Sequence, residues 1–432
     1  MARQMKDSGI AWIGEIPSHW QRVKTLYALE MPITDGPHET PELFDDGIPF
    51  VSAEAVSCGN GSIDFDHIRG FISEEYYNEC CKKYVPAMHD ILMIKSGATT
   101  GKVAVVDTAR TFTIWSPLAV FRFNSTVSDY QYMFYYLQSD AYQKQIENKW
   151  TFGTQQNIGM RTLEQLLLCL PPIDEQHRIA AFLDRRCAEI DAVMERTKAT
   201  IEEYKKLKQA VITEAVTKGV RGPRPMKDSG IEWIGEIPEG WEVLPHKYVM
   251  HKEKSICEHY AGEDIISLTM NGVIVRDLTA GGKMPTTFDG YQYVEPDDML
   301  LCLFDIDVTP RCVGIVRNHG VTSPAYSRFK VHVGYYNAYY DYLLRFIDDE
   351  KVFIHLSKNL RSSLTETDFG AIKTISPSYD EQVEIAAYLD EKCAALDTLI
   401  AKKSALLTEL EAYKKSLIYE YVTGKKEVPA CP

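Results

Sequence analysis

The stretch KSGATTGK at residues 95–102 carries the sharpest chemical signal in the chain. Glycines interleaved with small hydroxyl residues and lysines suit a loop that wraps a phosphate. The stretch fails the nucleotide-hydrolase pattern twice. Only three residues separate Gly97 from Gly101, and Val103 stands where a magnesium-binding Ser or Thr is required. What remains is a glycine-rich loop between two strands. Lys95, Ser96, Gly97, Thr99, Thr100 and Lys102 could approach nucleic-acid phosphates and base edges there. A plain surface hairpin would also account for these residues.

A second polar cluster, TFGTQQNIGMR at 151–161, offers Thr154, Gln155, Gln156, Asn157 and Arg161. Gln and Asn can pair with adenine through two hydrogen bonds, and Arg can do the same with guanine. Its counterpart, HLSKNLRSSL at 355–364, offers Lys358, Asn359, Arg361, Ser362 and Ser363. Solvated loops share this composition, so residue type alone assigns no base to any of them.

Catalytic patterns are missing. The chain has no GxGxxG, HExxH or GxSxG, and no NPPY-like tetrapeptide of an adenine methyltransferase. Glu147 lacks an upstream carboxylate partner for a nuclease metal, and His38, His67 and His89 show no ligand spacing. Ten cysteines include no CxxC pair, which fits a reducing compartment. We therefore expect a non-enzymatic chain with no cofactor or metal of its own.

The elements that must position these loops come twice. MKDSGIAWIGEIPSHW (5–20) returns as MKDSGIEWIGEIPEGW (226–241), with 13 of 16 positions alike at an offset of 221. DEQHRIAAFLDRRCAEID (174–191) returns as DEQVEIAAYLDEKCAALD (380–397) at an offset of 206, and the match runs on without a gap to EAVTKG (214–219) against EYVTGK (420–425). Residues 21–173 and 242–379 lie between and diverge. The chain thus divides into a tryptophan-bearing motif (1–20), a first head (21–173) and a helical block (174–225). A second tryptophan-bearing motif (226–241), a second head (242–379) and a final helical block (380–432) follow. Parts kept alike meet each other or the same partner; parts allowed to differ touch different things.

Both helical blocks place apolar residues at alternating spacings of three and four. The first seam is Leu183, Cys187, Ile190, Met194, Thr197, Ile201 and Tyr204; the second is Leu389, Cys393, Leu396, Ile400, Lys403, Leu407 and Leu410. That spacing predicts an antiparallel coiled coil, with Asp174 and Asp380 as helix N-caps. A helix over 174–219 would be about 69 Å long, which suits a spacer between heads. The two tryptophan motifs, with Trp12, Trp20, Trp233 and Trp241, read as clips between a helix end and a head. The first motif can meet a helix end only if the C-terminus returns to it, which implies a closed, pseudo-twofold plan. The heads read as mixed α/β domains with strands near 91–95, 102–106 and 118–123, and again near 299–304, 312–317 and 326–333, each set followed by a helix. The fold class is therefore α+β: two mixed heads separated by a long antiparallel coiled coil.

Formal net charge is −14. The blocks 174–225 and 380–427 carry +2 and −3, so the rest of the chain is acidic. Such a chain does not coat nucleic acid indiscriminately, and a partner must supply much of any phosphate neutralisation. No run approaches the roughly 18 apolar residues of a membrane span, and the N-terminus has no apolar leader core. The expected location is the cytoplasm.

The paired tryptophan motifs, the SGATTGK loop, and the PPIDEQ and PSYDEQ openings of the long helices together resemble the specificity subunit of type I restriction–modification enzymes, over essentially the whole chain. The resemblance implies that each head is a target recognition domain reading half of a bipartite site in double-stranded DNA. It implies that the helices set the gap and bind two methyltransferase subunits, to which restriction (motor) subunits attach. S-adenosylmethionine, ATP and Mg2+ would then belong to those partners. The second head departs from the pattern: FDIDVTPRCVGIV is acidic and lacks the SGATTGK sequence, leaving Thr309 and Arg311 as counterparts of the first loop's contacts. The competing reading is a coiled-coil scaffold whose heads bind protein rather than DNA.

Overall fold

The structure, a computed structural model, describes residues 3–152, 156–270, 272–279, 285–309, 311–357 and 362–429. It divides into two compact units. The first comprises residues 1–197 and 405–432, the second residues 198–404. Each unit therefore takes one tryptophan motif, one head and half of each long helix.

The long helices run Ile173–Lys218 and Tyr379–Val422. Both start two residues earlier than N-caps at Asp174 and Asp380 require, so these residues sit inside the first turn and are not the caps. The carbonyl of Pro172 instead accepts from the N–H groups of Glu175 and Gln176, and the Ser378 hydroxyl accepts from the Glu381 N–H. The carboxylates still favour the positive helix end. Burial along both helices follows the three–four spacing. In the first unit Leu183, Cys187 and Ile190 are buried and Met194, Leu407 and Leu410 half-buried. In the second, Ile201, Leu389 and Cys393 are buried and Tyr204, Leu396 and Ile400 half-buried. Within each unit the two helix halves run antiparallel, pinned by Lys414 to Asp191 in the first and by Lys208 to Asp397 in the second.

Each tryptophan motif folds as a small hairpin, Met5–Asp7 with Glu15–Pro17 and Met226–Asp228 with Glu236–Pro238. In the first unit the hairpin meets the end of the C-terminal helix. The Tyr419 hydroxyl donates to the Trp12 carbonyl at 2.7 Å, and Lys425 donates to the Glu15 carbonyl. Trp20 is fully buried there among Leu417, Ile418 and Val422. In the second unit Trp241 packs with Ile212, Ala215 and Val216, and its indole N–H donates to Glu381.

The DEQ motif repeats because one glutamine makes the same contact twice. Gln176 is buried; its side-chain oxygen accepts from the Asp129 N–H and its amide donates to the Val127 and Pro171 carbonyls. Gln382 accepts from the Tyr336 N–H and donates to the Pro377 carbonyl. One side chain thus satisfies backbone groups at a helix start in the head and locks head to helix.

The heads share one plan. The first has a four-stranded antiparallel sheet in the order Thr34–Asp35, Leu118–Phe121, Ile91–Ile94, Val103–Val105. The second has Met250–Lys252, Ser327–Val331, Met299–Leu301, Val313–Ile315 in the same order. Ile91 and Met93 face the helical core while Leu92 and Ile94 face the smaller cluster around Val51 and Ile114, as a strand's alternation requires. A second sheet in each head contains one parallel pair, Ile48–Val51 with Thr113–Ile114 and Ile265–Thr269 with Gly320–Thr322. The helical stretch after the first sheet breaks at Ser139 into Tyr130–Gln138 and Asp140–Glu147; in the second head it breaks later, at Lys351, into Asn337–Asp349 and Val352–Leu356.

Candidate nucleic-acid interface

In the first head, residues 95–102 join the paired strands Ile91–Ile94 and Val103–Val105. Gly101 donates its N–H to the Ile94 carbonyl at 2.8 Å, and Gly97 accepts the Thr100 hydroxyl on its carbonyl at 2.7 Å. Both glycines have φ near +100°, a region that disfavours any side chain. This local geometry explains the glycine spacing without a nucleotide.

The fold brings the two polar clusters of this head together. Gly97 N–H donates to the Gln156 carbonyl at 3.0 Å, Ile158 N–H donates to the Lys95 carbonyl at 2.9 Å, and Ser96 bridges to Asn157. Ile158 is buried and anchors this seam from below. Above it, Gln156 is half-buried and Asn157 exposed; Arg161 is exposed in the first turn of the helix Met160–Gln165. Lys102 is exposed, its ammonium 3.4 Å from the Ser57 carbonyl. Thr154 and Gln155 lie outside the described residues.

Lys95 is placed differently. Its side chain is 12% exposed and lies 3.2 Å from the buried Asp35 carboxylate, which Lys83 also contacts. Burial pushes the Asp35 carboxyl up, but hydrogen bonds and charge from Lys83 and Lys95 outweigh it and hold the group below the usual range. Lys95 thus spends its charge inside the head.

The second head repeats the stitch. Leu364 N–H donates to the Leu303 carbonyl at 2.8 Å, and Ile306 N–H donates to the Ser362 carbonyl at 3.1 Å. These bonds match Ile158 to Lys95 and Gly97 to Gln156 at offsets of 206 to 209 residues. The loop bends with Asp305 and Ser362 at positive φ. The Thr309 hydroxyl donates to the Asp305 carbonyl at 2.8 Å. Arg311, 17% exposed, pairs with Asp349 at 2.7 Å and Asp348 at 3.4 Å. Its guanidinium is therefore occupied by the head itself. Ser362 and Ser363 are half-buried beside the loop; Lys358, Asn359 and Arg361 lie outside the described residues.

Sequence reasoning missed the side chains that hold these loops. The Gln143 amide donates to the Gly101 carbonyl at 2.9 Å and to the Leu137 carbonyl at 2.6 Å. The Asp348 carboxylate accepts from Cys312 N–H at 3.0 Å. Gln143 and Asp349 stand 206 residues apart, so extending the repeat offset into the heads would have pointed to them. Among the described residues no cluster of His, Cys, Asp and Glu could hold a metal, and no helix is long and apolar enough to cross a membrane.

Chemically, each head presents a backbone-stitched strip of polar side chains on a rigid sheet end. The first strip ends in two exposed cations, Lys102 and Arg161, and suits phosphate and base-edge contacts. Residues 37–203 match the type I restriction modification DNA specificity domain. The chain is 26% identical, over 96% of both sequences, to the putative type I restriction enzyme MjaX specificity subunit of Methanocaldococcus jannaschii. It is 34% identical to the type I restriction enzyme EcoBI specificity subunit of Escherichia coli over 30% of this chain and 28% of that one. A chain from the solved structure described as "Structural basis underlying complex assembly and conformational transition of the type I R-M system" superposes with a TM-score of 0.70 at 15% identity. The match covers 95% of this chain and 99% of that one.

Proposed function

Because the chain belongs to the family of type I restriction–modification specificity subunits, we propose that its two stitched strips each read one half of a bipartite DNA target. The chain is a sequence-specific, non-catalytic DNA-recognition subunit. The observation that carries the bipartite reading is the duplicated stitch: the same hydrogen bonds hold divergent side chains at the same sheet end in both heads. One scaffold with two sets of presented residues is what reading two different half-sites requires.

The partners follow from the same reading. The repeated helices and tryptophan motifs offer like surfaces, which suits two copies of a methyltransferase subunit, with restriction subunits attached to those. S-adenosylmethionine, ATP and Mg2+ act in the partners. The acidic heads leave part of the phosphate neutralisation to them as well. The complex works in the cytoplasm, on double-stranded DNA.

The test is to assemble the chain with its methyltransferase partner and map the modified adenines on genomic DNA. A two-part motif with a fixed gap supports the reading. Methylation without sequence preference, or methyl transfer by this chain alone with S-adenosylmethionine, ATP and Mg2+, overturns it.

A further inference from the structure

The recognition loops of both heads are held at their C-terminal ends by the same place on the head's helical layer, with different chemistry. In the first head Gln143, in the helix Asp140–Glu147, donates to the Gly101 carbonyl. Its position is tight: a Cβ built on Gly101 would lie 2.2 Å from the Gln143 side-chain oxygen. In the second head Asp348 and Asp349, at the end of the helix Asn337–Asp349, hold the Cys312 N–H and the Arg311 guanidinium. An amide holds a carbonyl in one head; carboxylates hold an N–H and a cation in the other.

We infer that Gln143 in the first head, and Asp348 with Asp349 in the second, are positioning residues that set the pose of the reading loop and so determine specificity without touching DNA. This rests on the reading of the loops as DNA contacts. Each loop re-enters its ladder at the gripped residue, Gly101 pairing with Ile94 and Cys312 with Cys302, and a rigid helix holding that base limits the tilt of every side chain the loop presents. Base readout depends on paired hydrogen bonds of fixed geometry, so a small tilt costs discrimination before it costs affinity for phosphate. Arg311 on this view is a strut.

The experiment uses the full chain assembled with its methyltransferase partner and a pool of duplexes randomised at one half-site at a time. Gln143→Leu removes both donors at similar volume. It should flatten base preference at the first half-site by roughly two- to tenfold, the worth of one lost hydrogen bond. The second half-site and the salt slope should stay as in the parent. Asp348→Leu should do the same to the second half-site only, while Asp348→Asn, which keeps an acceptor for Cys312, should retain most of the preference. Preferences are read well below each variant's melting midpoint, so that folded protein is compared with folded protein. Thr99→Ala and Arg161→Ala serve as loop controls. If these shift the first half-site while Gln143→Leu and Asp348→Leu match the parent at both, the positioning inference is overturned and the loop reading stands. If the controls change nothing either, the loop reading itself falls and takes the inference with it.

Discussion

Lys414 donates to both carboxylate oxygens of Asp191, each at 2.7 Å. Lys208 does the same to Asp397 in the other unit. Asp191 and Asp397 are repeat counterparts at an offset of 206, as are Lys208 and Lys414. One contact is therefore made twice with the roles of the two helices exchanged. That exchange is what an antiparallel pairing of two like helices produces.

These pairs are partly solvated, with Asp191 36% and Lys414 24% exposed, so each contributes little to stability. Asp191→Lys should lower stability by about 0.5–1 kcal/mol, and adding Lys414→Asp should restore most of it. A double-mutant cycle by urea unfolding measures the coupling. A coupling indistinguishable from zero would mean that the seam residues alone fix the register.

The buried pair in the second head should weigh more. Arg328 and Asp298 are 3% and 2% exposed and lie 2.5 Å apart. Arg328→Met strands a buried carboxylate and should cost about 3–5 kcal/mol. Pairing it with Asp298→Leu should recover much of that loss. Arg122 and Asp90 form the equivalent pair in the first head, where Arg122 is 26% exposed and truncation should cost less. Denaturation of these three variants checks the ranking.

His246 predicts an acid-sensitive second head. Its ring is fully buried, stacked on Phe369 and hydrogen-bonded to the Ile372 carbonyl. Burial holds its pKa down, at about 4 from 6.5, although the carbonyl pulls the other way. The unfolded chain thus binds a proton that the folded chain refuses. The stabilising contribution is complete above pH 6.5 and is lost as pH falls toward 4, by roughly 3 kcal/mol at full titration. His246→Phe should flatten stability against pH across that window. Parallel curves for variant and parent would count against the assignment.

Lysines 95 and 102 should separate cleanly. Lys102→Ala should weaken binding to all duplexes and reduce the salt slope by about one unit. Lys95→Met should leave that slope alone and destabilise the first head, because Asp35 loses a buried partner. Arg161→Ala, if it reads guanine, should cost about 1–3 kcal/mol at a single base position. Binding titrations at several salt concentrations distinguish the three.

The repeat made the architecture legible from sequence alone. Two gapless blocks at one offset require the same element twice, and a three–four apolar spacing can bury one stripe only as a helix seam. The strands at 91–94 and 299–301 were readable because consecutive apolar residues face two cores. The presented loops were readable by residue type, but their state was not. Lys95 and Arg311 look like free cations in the sequence, yet partners at Asp35, Asp348 and Asp349, from 37 to 60 residues away, occupy them. Nor could spacing reveal that the seam from Gly97 to Gln156 joins two distant clusters, or that Gln143 grips Gly101. Such contacts depend on which backbone groups the folded sheet leaves unpaired, and local sequence does not encode that. Helix and repeat are short-range or self-similar properties written directly in residue order; the charge and pose of a reading side chain belong to its long-range partners, and only the tertiary structure decides them.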